Sequence, residues 1–297
     1  MNLNSMNNMS KPIVIGIGEY LWDVLPTGKK AGGAPVNFAF HASQNGAEGW
    51  GISAVGDDEL GKELLEVTKA HGINILAPTV NYPTGTVKVT LVNGQPDYEI
   101  CEGVAWDHIP LSDDAVELAQ KASAISFGTL AQRSEESRRS TAKLISLAPK
   151  DALIVYDINL RQHFYNKQVI EQSLRMSNIL KINDEEIEVV KPMFALEGKS
   201  YDEVCEFFMS EFGLRIVILT GGDKFSSVYS KEEVSTIKTP KVEVVDAVGA
   251  GDAFSGAFIG SLLNGKTIRE AHELAVDTAA YVCTQAGAWT PKRKNYE

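Results

Sequence analysis

Cysteine is scarce in this chain, with Cys101, Cys205 and Cys283 the three examples in 297 residues. They are odd in number and far apart, which excludes a disulfide framework and a zinc cluster and fits reduced, buried thiols. The histidines (His41, His71, His108, His163 and His272) form no ligand pair, so they read as structural. Positive charge is also short: 28 basic against 39 acidic residues give a net charge of −11, with no Lys/Arg run of five. That argues against nucleic acid or an anionic membrane as partner. No apolar run reaches the ~20 residues that cross a bilayer. Residues 1–10 are Asn-rich without the apolar centre of a signal peptide, so a disordered tail and a soluble, cytoplasmic protein are expected. Also missing are repeats, a Gly-x-x-x-x-Gly-Lys-Ser/Thr loop and a Gly-x-Ser-x-Gly elbow. Gly16-x-Gly18 begins like a dinucleotide fingerprint. Leu21 stands where the third glycine should be, and Pro26 and Gly28 follow in place of a helix.

What the chain does have is 44% apolar content and an alternation of strands and helices. Buried strands are expected at 13–18, 50–55, 124–127, 152–156, 178–183 and 214–220. Helices are expected at about 59–70, 111–122, 134–147, 167–176 and 201–211. The class is α/β with a mostly parallel sheet. Residues 84–92 alternate polar and apolar, Asn93-Gly94 marks a turn, and 96–101 returns, which predicts a hairpin standing off the main sheet and suited to covering a site. Asp23, Thr129, Asp157, Asn159, Arg161, Asn183 and Thr220 fall at expected strand C-termini, the rim where α/β sheets bind ligands.

The chain is organised around Asp246-Ala-Val-Gly-Ala-Gly-Asp252. Residues 241–245 are rich in β-branched side chains and predict a strand. Phe254, Ala257, Phe258 and Leu262 continue at helical spacing up to Asn264-Gly265. Gly249-Ala-Gly251 therefore sits at a helix N-terminus, where free N–H groups and the helix dipole favour an anion. A carboxylate beside an anion site suits an acceptor of a proton from a nucleophile; the alternative is Asp252 as an N-cap. Upstream, Gly32-Gly-Ala-Pro-Val-Asn37 reads as a turn opening a helix. The Asn37 amide suits a sugar hydroxyl, with a plain turn as the alternative.

These two motifs, about 210 residues apart, together with Asn183-x-x-Glu186 and Thr220-Gly-Gly222, resemble the ribokinase-like, PfkB-type carbohydrate kinase family from Ile13 to Gly287. The resemblance implies a single three-layer ribokinase-like domain over 11–297, a mostly parallel sheet between helices, and a small β lid from about 19–33 and 85–106. It implies transfer of the γ-phosphoryl of ATP, with Mg2+, to a sugar hydroxyl. Asp252 matches the family's base and Gly249, Ala250 and Gly251 its anion hole. Asp23, Gly32, Gly33 and Asn37 match its sugar site, and Thr129 joins them from the rim. Asn183, Glu186, Thr220, Gly221 and Gly222 match its nucleotide site. Asp246, Val248 and Gly287 match part of a monovalent cation site, usually for K+. Gly18-Glu-x-Leu-x-Asp23 with Pro26, and Asp157-x-Asn-x-Arg161, resemble the fructokinase branch, so D-fructose is the expected substrate. Ribokinase, 2-keto-3-deoxygluconate kinase and a non-catalytic sugar-binding regulator on this fold are the alternatives. Arg161 has three readings: contact with an acidic substrate, contact with the phosphates, or an ion pair with Asp157. A homodimer through the lid is also expected.

Overall fold

The computed structural model describes residues 10–25, 28–92 and 95–293, with the backbone alone for 89–98. The expected tail, all but Ser10, the Asn93-Gly94 turn and Pro26 lie outside the described residues.

The frame is a nine-stranded sheet in the order Val234–Lys238, Phe225–Ser230, Ile216–Thr220, Ile179–Asn183, Leu153–Asp157, Ala122–Gly128, Ile13–Ile17, Glu48–Ile52 and Asn74–Leu76. From Ile216–Thr220 onward all neighbours are parallel; Phe225–Ser230 is antiparallel to both of its neighbours. Successive side chains of a strand point to opposite faces, and here both faces are covered. Ile15, Ile17, Ile125, Phe127, Leu180 and Ile182 pack with Leu144, Ile170 and Phe208 of the helices Glu135–Leu147, Lys167–Met176 and Tyr201–Phe212. Val14, Ala124, Val155, Ile179 and Ile218 pack with Phe38, Phe258 and Ala271 of the helices Ala34–Gln44, Ala250–Leu263 and Ile268–Cys283. The result is three layers, and it explains why the strands read as unbroken apolar runs.

Two helices of the second face touch at backbone distance. A Cβ at Gly256 would lie 2.6 Å from the Phe38 carbonyl oxygen, and one at Gly260 would lie 3.0 Å from that of Ala42. The Ala250–Leu263 helix is thereby pressed onto Ala34–Gln44, which fixes the first turn of one against that of the other.

A four-stranded sheet stands apart in the order Gly28–Gly32, Leu21–Leu25, Gly85–Val92 and Gln95–Ile100. Leu21–Leu25 is antiparallel to Gly28–Gly32 and parallel to Gly85–Val92, so the two stretches expected to form one unit do pair.

The structure corrects several expectations. Residues 241–245 form no strand. The sheet ends at Val234–Lys238, leaving those residues no ladder partner, and Val242, Val244 and Val245 are exposed. Asp23 lies mid-strand in the small sheet, not at the end of a strand of the main one. The strands Asn74–Leu76, Phe225–Ser230 and Val234–Lys238 and the helix Ile268–Cys283 were not anticipated.

Candidate active site

The parallel strands end on one rim, and there the small sheet and the first turn of Ala250–Leu263 enclose a cleft of about 660 Å³. Asp23, Gly33, Asn37, Arg161, Asn183, Glu186, Thr220, Val248, Gly249, Gly251 and Asp252 all line it. Most of the residues singled out in the sequence are thus brought to one place.

Asp252 is at the floor, in the first turn of the helix, after Gly249 in a left-handed conformation (φ 77°). Its Oδ2 accepts from Asn37 Nδ2 at 2.8 Å, and Asn37 Oδ1 accepts from Trp289 Nε1 at 2.8 Å. Burial first, and then the charge of Asp157, push the Asp252 carboxyl up to about 6, against the Asn37 hydrogen bond and the cations of Lys181 and Arg161. A carboxyl near 6 is ionised at neutral pH yet basic enough to take a proton. Beside it, the N–H of Ala250 donates to Ala247 O at 3.3 Å, while Gly249 and Gly251 turn toward the cleft. Of the three residues expected to face an anion, Ala250 thus has its N–H engaged within the turn, and Gly249 and Gly251 are the two that border the cleft.

A lysine not named from sequence completes this corner. Lys181 Nζ donates to Asp157 Oδ2 at 2.8 Å, and both are buried. Burial opposes the ammonium charge, but Asp157, Glu186 and Asp252 outweigh it and hold the pKa above its ordinary value. A Cβ at Gly251 would lie 3.3 Å from Nζ, so a permanent cation sits directly under the helix N-terminus. Asp157 takes its ion pair from Lys181, which removes that reading of Arg161. The Arg161 guanidinium is instead exposed at the cleft mouth, following Asn159, whose φ of 39° is a conformation that Asn tolerates better than most residues.

Glu19 also went unnamed as a site residue. It is 5% exposed, lines the cleft, and its Oε2 has no hydrogen-bond partner. Burial first, and also the charge of Asp252, raise its pKa from 4.5 to about 7, against N–H groups of Glu19 and Ala34 and the charge of Arg161. Gly33 (φ 129°) is required here, since a Cβ would come within 2.2 Å of the Glu19 carbonyl oxygen. Asp23 has its pKa raised by burial, with Lys30 and Arg161 pulling it back. Gly32 packs beside it, its Cβ position 3.7 Å from Asp23 Oδ2.

Asn183 and Glu186 form a capping box for the helix Asp184–Val190. Glu186 N donates to Asn183 Oδ1 at 2.8 Å and Asn183 N to Glu186 Oε2 at 2.9 Å. Glu186 Oε1 accepts from Leu160 N, and burial, then Asp157, raise its pKa. Thr220 lines the cleft, whereas Gly221 and Gly222 (φ 57°) form the hairpin turn into Phe225–Ser230 and do not.

Two expectations are displaced. Thr129 is fully buried and does not line the cleft. Its hydroxyl donates to Ile158 O, so it receives the Tyr156 hydroxyl at 2.6 Å, and its one proton is given to the core. At Asp246, Oδ2 accepts from Lys30 Nζ at 2.8 Å and Gly287 N at 3.2 Å, and Oδ1 from Val248 N at 3.0 Å. Burial works against this carboxylate, but those donors keep its pKa below the ordinary value. A carboxylate so surrounded, with an ammonium already on it, does not fit K+ held by Asp246, Val248 and Gly287. Among the described residues no three His, Cys, Asp or Glu side chains are grouped to hold a metal ion, and no helix is long and apolar enough to cross a membrane.

Comparison with known proteins agrees with this fold. The sequence profile described as "pfkB family carbohydrate kinase" matches residues 23–295. An ATP-dependent 6-phosphofructokinase of Thermoanaerobacterium thermosaccharolyticum is 30% identical, over 93% of this chain and 89% of that one. A fructokinase of Rhizobium leguminosarum bv. trifolii is 27% identical, over 84% and 79%. The crystal structure of an uncharacterized sugar kinase of Pyrococcus horikoshii in complex with ATP superposes with a TM-score of 0.80 at 26% identity, over 95% and 96%.

Proposed function

Because the chain belongs to the pfkB family of carbohydrate kinases, we propose that it transfers the γ-phosphoryl group of ATP to D-fructose, giving fructose 6-phosphate and ADP. The observation that carries the chemistry is the Asp252 carboxyl, raised to about 6 in the first turn of a glycine-led helix that starts against the Lys181 ammonium. The sugar hydroxyl loses its proton to Asp252 as its oxygen bonds to phosphorus and the bond to ADP breaks. Such a transfer needs mainly positioning and charge stabilisation. Gly249 and Gly251 N–H groups, with Ala250 behind them, and Lys181 face the charge on the moving phosphoryl. Asp23, Glu19 and the Gly32–Gly33 turn bind the sugar, Asn37 orients the base, and Thr220 with its Gly221-Gly222 turn borders the nucleotide. The small sheet serves as the lid, excluding water that would compete as acceptor.

Mg2+ would neutralise phosphate charge. The cleft fits it through an acidic excess, with Glu19, Asp23, Asp157, Glu186 and Asp252 against Lys181 and Arg161. Glu186, boxed with Asn183 at the cleft, would meet its water shell beside the phosphates, since Mg2+ commonly uses one or two carboxylates and keeps its waters.

Fructose is favoured by the fructokinase-like motifs and the fructokinase relative. A second reading has fructose 6-phosphate as the acceptor, supported by the exposed Arg161 at the cleft mouth and the 6-phosphofructokinase relative. ADP release measured over fructose, fructose 6-phosphate, ribose, 2-keto-3-deoxygluconate, tagatose and adenosine separates them. Turnover of fructose above the others is expected, and no turnover of any would leave a sugar-binding regulator. Pairing of two copies through the small sheet is tested by sedimentation, where a monomer at micromolar concentration rejects it.

A further inference from the structure

Trp289 offers one polar atom, and it points at Asn37: Nε1 donates to Asn37 Oδ1 at 2.8 Å. An indole N–H can donate and never accept. The Asn37 amide must therefore give its oxygen to Trp289, which turns its NH2 group to Asp252 Oδ2, 2.8 Å away. Without such a neighbour an amide can rotate by half a turn, since its two ends have nearly the same shape. Asn37 would then face the Asp252 carboxylate with its own oxygen, acceptor against acceptor.

The indole is held where this matters. Trp289 is buried and meets the His71 ring edge-on, with centroids 5.3 Å apart. The preceding carbonyl, Ala288 O, accepts from His41 Nε2 at 2.8 Å. The Ala288 methyl fills the space at Gly249, where a Cβ would lie 2.5 Å from it. Residues 288–289 thus brace both the helix start and the residue that touches Asp252.

We propose that Trp289 is a positioning residue whose N–H locks the Asn37 amide in the one orientation that keeps Asp252 available as a proton acceptor. This rests on the reading of Asp252 as the base. The other charged groups bearing on Asp252 are Asp157, Lys181 and Arg161, with Glu19 feeling its charge in turn, whereas the Trp289 N–H donates to Asn37.

The test is Trp289→Phe, which keeps an aromatic ring and removes the donor, assayed for fructose phosphorylation from pH 5 to 9. The acid limb of kcat is expected to move up by about one pH unit, a roughly tenfold lower rate at pH 5, with the rate at pH 8.5 and the sugar KM within about twofold of wild type. In an Asn37→Ala background the same substitution should change nothing further. An unmoved acid limb, an equal loss at every pH, or full additivity with Asn37→Ala would overturn the proposal. In the unaltered protein, the Trp289 indole N–H resonance should shift with a midpoint near pH 6, and a flat response between pH 5 and 8 would also overturn it. Full activity in Asp252→Asn would instead refute the base assignment, whatever Trp289 does.

Discussion

Replacing Glu19 with Gln should stabilise the protein in alkaline solution and leave it unchanged in acid. The Glu19 carboxyl is buried, one of its oxygens has no partner, and its pKa is raised from 4.5 to about 7. Below pH 4.5 the folded and unfolded chains both carry the proton, so ionisation costs nothing. Between 4.5 and 7 the unfolded chain releases the proton while the folded chain keeps it, and stability falls as pH rises. Above 7 the full cost is present. The interval between the two values, at 1.36 kcal/mol per pH unit, corresponds to up to about 3 kcal/mol. Gln keeps an oxygen for the N–H groups of Glu19 and Ala34 and puts a donor where the partnerless oxygen was. Urea unfolding followed by tryptophan fluorescence should give coincident midpoints at pH 4.5 and a variant midpoint higher by about 1 M at pH 8, with unchanged slope. A gap that is the same at both pH values, or a wild type that is the more stable at pH 8, would refute the argument. If Glu19 contacts the sugar, the same variant should pay in KM what it gains in stability.

Asp252→Asn should lower kcat by about 10²–10⁴ while sugar binding by calorimetry changes little, and wild-type kcat should rise with pH through a midpoint near 6 as the carboxyl ionises. A flat profile would point to another base. Lys181→Met should cost about 10² or more in kcat and destabilise the fold by stranding Asp157. Adding Asp157→Asn should restore stability in urea but not the rate, and recovery of the rate would remove Lys181 from the chemistry. Thr129→Val should lower stability by about 1–3 kcal/mol, because the Tyr156 hydroxyl and Ile158 carbonyl lose their partner, with sugar KM unchanged. A tenfold rise in KM without loss of stability would return Thr129 to the substrate site.

The parts of the site legible in the sequence were those carried by local chain. Gly249, Gly251 and Asp252 lie within four positions, and Asn183 with Glu186 forms a capping box whose spacing announces itself. Lys181 and Asp157 are different. They are register partners on adjacent parallel strands, and nothing local says that those strands are neighbours. One signal was there, a lysine inside the apolar run Ile179-Leu-Lys-Ile182, where an unpaired charge would be costly. Glu19 was visible within a motif, but its missing partner depends on how Gly33 packs over its backbone. At 241–245 composition misled, because β-branched residues make a strand only where another strand offers its edge. Thr129 misled for the opposite reason: a polar residue at a rim can turn inward and spend its hydroxyl on the core.

The contact between Asn37 and Trp289 joins positions 252 residues apart. A ribosome adding about 5–20 residues per second takes on the order of 13–50 s to travel from one to the other. Asp252 and its glycines emerge before Trp289 does. A growing chain therefore holds Asn37 and Asp252 before it holds the indole that donates to Asn37. The Asn37–Trp289 contact is thus one that the growing chain completes long after Asn37 itself has been made.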